Sequence, residues 1–392
     1  MKKIPCLVES GNYFFLRVNA RTRIILALVA VLLTGVIVCW MWQRGSLERV
    51  ESHSLSREAA GLESETGDSS WRVPNVRLPA PAMDRKTANA EPDSNLNRVS
   101  DLAPFHVPSL TKDQAEAFLK EHQGSAASML SAFRTSRDSA YLTQAMERFP
   151  NDPQVALEAL FKAGLSTEER RPWLEALKRS ASDNPLGNYL SARDYFNSGQ
   201  TDLAVGELIA AAGKTQFSDL TLERMQMDEE AYRFSGFSEK DSKTAAMFRL
   251  ELPQLKDMPN LADSMIELSK SYRQAGDAPS ADAVIEMAVN LGEQFRNSER
   301  SLLVNQMLGM GIEMSALESM DPAAAYGSGG GTVRDRLNTL KADKAEMSKL
   351  VRESVPLQDQ MTAQDWVAYL DRMKLFGEQN AMRWLLAKRA ME

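Results

Sequence analysis

The sequence predicts an all-α protein: a single N-terminal transmembrane helix, a disordered tether, and a helical-hairpin solenoid ending in non-repeating helices. Three observations carry this. Nineteen consecutive residues, Ile24–Trp42, are uncharged and almost wholly apolar. From Leu110 onward, apolar residues recur at helical spacing with no sustained period-2 alternation. Pro153, Pro185, Pro253, Pro259, Pro322 and Pro356 fall where one helical pattern gives way to the next. The predicted divisions are a tail over 1–23, a span over 24–43, a linker over 44–109, a repeat region over 110–297 and a C-terminal helical region over 298–392.

At ~1.5 Å per residue the apolar run makes ~28 Å of helix, close to the hydrocarbon thickness of a bilayer. Lys2, Lys3, Arg17, Arg21 and Arg23 precede it, opposed only by Glu9, whereas Arg44, Arg49 and Arg57 after it are interleaved with acids. The positive-inside rule then places the N-terminus in the cytoplasm and everything from Gln43 on the exported side of an inner or plasma membrane. Trp40 and Trp42 stand where an interfacial belt would put them. A cleaved signal peptide is the rival, but its apolar core would be shorter and end in a small-residue site. Cys39 invites a lipoprotein reading, against which Val38 and Trp40 flank it unsuitably.

The first 23 residues carry five basic side chains against Glu9, a net +4, so the remainder of this −7 chain carries −11. An acidic exported part is a poor partner for nucleic acid, which needs clustered cations. Both cysteines, Cys6 and Cys39, precede the body, which must therefore hold together without a disulfide. Residues 44–109 are punctuated by Pro74, Pro79, Pro81, Pro92, Pro104 and Pro108 amid Ser, Asn, Glu and Arg. That composition cannot bury enough apolar surface to offset ordering entropy. As a coil of ~65 residues its ends would stand roughly 40–50 Å apart.

The body opens on Thr111-Lys-Asp-Gln114, a capping box before Ala115, Phe118 and Leu119. Asn151-Asp-Pro153 and Asp183-Asn-Pro185 recur 32 residues apart, each opening an apolar helix. From Pro185, the residues Ala192, Tyr195, Gly199, Ala204, Leu208 and Ala211 stand at spacings that resemble a tetratricopeptide repeat. A second set from Ala262 follows suit: Leu268, Tyr272, Gly276, Ala281, Ile285 and Ala288. In both, small residues would let paired helices approach, glycine would make the turn, and the large residues would fill the wedge. Weaker units precede, one over 153–182 with Gly164 at its turn and one ending in Phe149-Pro150. The pattern departs from the family at the large residue early in the first helix, here Asn188 and Met265, and in lacking the terminal proline. Residues 219–261 fit only as a degenerate pair.

Beyond about 297 the period fades. Ser298 is expected to cap a Met-rich helix running to Met320, and Gly327–Gly331 to act as a hinge. Val333, Leu337, Leu340, Met347 and Leu350 then share one helix face. Thr362-Ala-Gln-Asp365 opens a helix ending at Phe376-Gly377, and Met382, Trp384 and Leu385 mark the last.

No residue pattern points to catalysis, a cofactor or a metal. Of three histidines, His53 and His106 fall in the linker and His122 reads as a surface residue. Ser109-Leu-Thr-Lys112 and Ser182-Asp-Asn184 mimic two of the three penicillin-binding motifs, but no Lys-Thr-Gly accompanies them. Capping and turn formation explain them better. Met307, Met310, Met314 and Met320 read as core filling, with an adaptable partner groove as the other use. What remains is a scaffold expected to bind an unspecified protein partner, the role the repeat resemblance implies. A transmembrane signalling component and an envelope-polymer hydrolase are the other functions weighed.

Overall fold

A computed structural model describes residues 107–391 except 163, 299, 328 and 329. The predicted tail, span and linker therefore lie outside the described residues, apart from the last three linker positions. Among the described residues no helix is long and apolar enough to cross a membrane.

Fifteen helices make up the described fold. The first five are α1 (Lys112–Glu121), α2 (Ala126–Ser136), α3 (Ser139–Arg148), α4 (Pro153–Leu160) and α5 (Thr167–Ser180). They are followed by α6 (Leu186–Asn197), α7 (Thr201–Ala212), α8 (Thr221–Phe234), α9 (Glu239–Phe248), α10 (Gln254–Gln274) and α11 (Ala278–Asn297). After α12 (Leu303–Glu318), strands β1 (Ala325–Tyr326) and β2 (Gly331–Thr332) precede α13 (Val333–Gln358), α14 (Ala363–Phe376) and α15 (Glu378–Met391).

Local chemistry sets most boundaries. Thr111 with Gln114, and Thr362 with Asp365, close capping boxes on α1 and α14. Asp152 caps α4 by accepting from Gln154 and Val155, with Pro153 at the first helical position. Proline is not always a boundary, however. Pro259 lies inside α10 and Pro356 inside α13. A proline inside a helix loses one backbone bond and costs ~3 kcal/mol. In α10 the burial of Met258, Leu261 and Ala262 beside it outweighs that loss.

Two further expectations are corrected. Ser298 ends α11 instead of opening the next helix, because α11 runs unbroken to Asn297. Helix α12 begins at Leu303, and its first N–H is accepted by the Glu378 carboxylate at 2.8 Å, a partner 75 residues away. The glycine-rich segment is no open hinge: Ala325 pairs with Thr332 and Tyr326 with Gly331 in an antiparallel hairpin. Gly327 and Gly330 take the positive φ values, +71° and +74°, that its turn requires.

The packing is not strictly sequential. Helices α6 and α7 form one hairpin, α10 and α11 another, and these two stack directly, α6 on α10 and α7 on α11. The hairpin between them in sequence, α8–α9, swings aside: α8 packs on α2, and α9 on α14. One large apolar core runs through α4–α7 and α10–α15 and takes in Met225 of α8 and Ala246 of α9, while smaller cores serve the N-terminal helices and their contacts with α8 and α9. Met310 is buried in the large core, and Met307, Met314 and Met320 pack against it.

Charge pairs fix the detour. Arg134 of α2 donates to both Asp228 oxygens of α8 at 2.8 and 2.9 Å and to Glu158 of α4 at 3.1 Å; Arg224 also pairs with Glu158. Burial alone would lower the Arg134 pKa, but Asp228 and then Glu158 reverse that and hold it above the usual value. Lys243 of α9 bridges Glu229 of α8 (2.8 Å) and Asp371 of α14 (2.6 Å), which ties the C-terminal helices to the same hairpin.

Candidate functional site

The stacked hairpins place the two predicted packing sets in their turns and contacts. Ala192, Ala204, Leu208 and Ala211 are buried between α6 and α7, and Gly199 makes the turn at φ +72°. Tyr195 is half-buried. In the second hairpin Leu268, Ala281, Ile285 and Ala288 are buried, Tyr272 is half-buried, and Gly276 turns at φ +80°. Ser269 donates to the Ala281 carbonyl at 2.9 Å across the pair.

Helix α6 is buried nearly all round, from Leu186 through Ala192. Where the end of α5 crosses it only glycine fits: a Cβ on Gly187 would stand 2.9 Å from Lys178 Cγ. Buried Asn188 and half-buried Tyr195 of α6 form the floor of an open depression of about 410 Å³ between α5 and α7. Lys178, Asn188, Tyr195, Leu203, Gly206 and Ala210 are among its lining. A Cβ at Gly206 would meet nothing within 4 Å.

The floor of this groove is a fixed polar network. The Glu207 carboxylate accepts from Lys178 Nζ at 2.5 Å, Asn188 Nδ2 at 2.6 Å and Ser191 Oγ at 3.1 Å. Lys178 also reaches Glu175 at 2.8 Å. Burial would lower the Lys178 pKa, but its bonds to Glu175 and Glu207 raise it, so it stays charged. Lys214 donates to Asn188 Oδ1 at 2.6 Å. Its pKa is lowered, first by burial and further by Lys178, against an opposing pull from Glu207. The Arg171 guanidinium carbon lies 3.8 Å from the centroid of the Tyr195 ring.

One wall is apolar and uncovered. On α7, Leu203 (51% exposed), Gly206 and Ala210 line the depression beside Asp202, and Ile209 on the same helix is 46% exposed. This wall was missed in the sequence. The signal was there: Thr201–Ala212 carries more apolar positions than the one buried face through Ala204, Leu208 and Ala211 can use.

The other sequence candidates are absorbed structurally. Thr111 is the cap of α1, while the Ser109 hydroxyl accepts from Arg249 at 2.9 Å. Asn184 accepts from the Leu186 N–H and donates to the Ser218 carbonyl. His122 is not a plain surface residue. Its ring lies 4.1 Å from that of Phe118, with one nitrogen 3.0 Å from the Phe118 carbonyl and the other 3.2 Å from Glu230 on α8. Docking of α1 on α8 covers it. Among the described residues, no group of three or more His, Cys, Asp or Glu side chains is arranged to hold a metal ion.

Comparison of the chain with protein-family models, with curated proteins and with solved structures gives no match in any of the three.

Proposed function

We propose that this chain is a membrane-anchored scaffold whose tetratricopeptide-like helical body binds another protein on the exported side of the membrane. Envelope, secretion or surface-appendage assembly is the setting such a body would serve. The observation that carries the reading is the α5–α7 groove: an uncovered apolar wall facing a floor of fixed charges, an arrangement suited to a peptide or helix and not to bond-making chemistry. The apolar run Ile24–Trp42 and its basic N-terminal flank support the anchoring and orientation. The step from helical repeats to protein binding is analogy.

A photo-crosslinking residue at Leu203 of the full chain, in its native membrane, tests the docking surface. Adducts are expected at Leu203 and not at Ala342, an exposed position on α13. Absence of adducts, or the same adducts at both positions, would overturn it.

A further inference from the structure

We propose that Val107–Leu110 is a releasable strap, latched onto α8 and α9 by the single side chain of Arg249, which opens as a unit while the rest of the body stays folded.

The strap is non-helical and leads the chain into α1. Val107 and Leu110 pack on the small apolar cluster that includes Ala231, Tyr232 and Ala245. Its polar contacts converge on one residue. Arg249, which ends α9, donates through Nη2 to the Pro108 carbonyl at 2.8 Å, the Ser109 hydroxyl at 2.9 Å and the Val107 carbonyl at 3.3 Å. Its Nε donates at 2.9 Å to the Tyr232 hydroxyl, which in turn donates to the Pro108 carbonyl at 2.8 Å. The Leu110 N–H adds one bond elsewhere, to the Thr135 carbonyl of α2 at 3.0 Å.

The latch is made without a counter-charge. Arg249 is 8% exposed, yet every acceptor it meets among the described residues is neutral, and its buried Nη1 meets none. Arg134, its side chain likewise enclosed, has both Asp228 and Glu158. The end of α9 supplies only the partial negative charge of a helix dipole. A guanidinium withdrawn from water on those terms is incompletely compensated, so the closed strap is shallowly preferred. Because one side chain holds three strap oxygens, the three bonds are lost together. Opening returns Arg249 to water and frees the Tyr232 hydroxyl, so that α9 ends in an exposed cation.

The test is thiol labelling of the full chain with Cys6→Ser and Cys39→Ser, which removes both native thiols. A cysteine is placed in the cluster that the strap covers, at Ala245 (5% exposed), or in the large core on α5, at Ala176 (4% exposed). Ala245→Cys should label at least about tenfold faster than Ala176→Cys, since local opening is more frequent than global unfolding. Adding Arg249→Met should speed Ala245→Cys by roughly tenfold more and leave Ala176→Cys unchanged. Should Arg249→Met speed both sites alike, Tyr232→Phe, which removes one link of the latch and no bulk from the core, decides. A rise at Ala245→Cys alone sustains the strap, and no selective rise overturns it. The proposal is also overturned if Ala245→Cys labels no faster than Ala176→Cys, or if Arg249→Met changes neither rate.

Discussion

Ala204 and Ala210 lie on the same helix and differ only in what surrounds them. Ala204 is buried where α6 and α7 approach, and Ala210 is exposed on the groove wall. Ala204→Leu should overpack the hairpin and cost about 1–3 kcal/mol, whereas Ala210→Leu should stay within about 0.5 kcal/mol. Denaturant melts of the two variants check this, and equal effects would mean the helix faces are misassigned. The same geometry is sharper between α11 and α12, where Gly292 and Gly309 bring two backbones together. A Cβ at Gly309 would stand 2.4 Å from the Arg296 nitrogen and from the Gly292 carbonyl oxygen. Neither glycine stood out in the sequence, because its need arises from a neighbour and not from its own turn.

Helix boundaries were legible where the capping chemistry is local. Thr362 and Asp365 show this at α14, and Asp365 also joins α15 through Lys388. The bond from Lys388, then the Thr362 N–H and hydroxyl, hold the Asp365 pKa down to about 2. A carboxylate with a depressed pKa stabilises the fold above its unfolded value, ~3.9, and loses that contribution as pH falls through the folded value. Asp365→Asn should therefore lower the melting temperature at pH 7, with the difference from wild type closing as pH drops from 4 toward 2. A gap that persists at pH 2 would mean the side chain acts through packing. Boundaries set from a distance were not legible: Ser298 was misassigned because the α12 N-terminus is completed by Glu378.

At the scale of the whole molecule, the alternation of helices could be read but their order in space could not. The repeat-like hairpins α6–α7 and α10–α11 are neighbours in the fold although α8–α9 separates them in sequence. What draws α8 aside is Arg134 meeting Asp228, residues 94 apart, and no local pattern announces such a pair. Both groups are nearly buried, with side chains 8% and 5% exposed. Removing one partner leaves an uncompensated charge, which typically costs about 3–5 kcal/mol. Arg134→Met should destabilise the protein by that order in a denaturant melt, and Arg134→Met with Asp228→Leu should recover much of the loss. Failure of the double variant to recover would show that the pair does not hold the detour.

The groove is where residue, element and assembly meet, and Gly206 gives direct access to it. Its position is helical, exposed and empty of neighbours within 4 Å. Gly206→Arg should fill the groove while slightly favouring the helix. The decisive measurement is recovery of bound protein when the full chain is purified from its native membrane, wild type beside Gly206→Arg with matched melting temperatures. The account predicts that a partner protein accompanies the wild type and is lost from the variant; undiminished recovery with Gly206→Arg would contradict it.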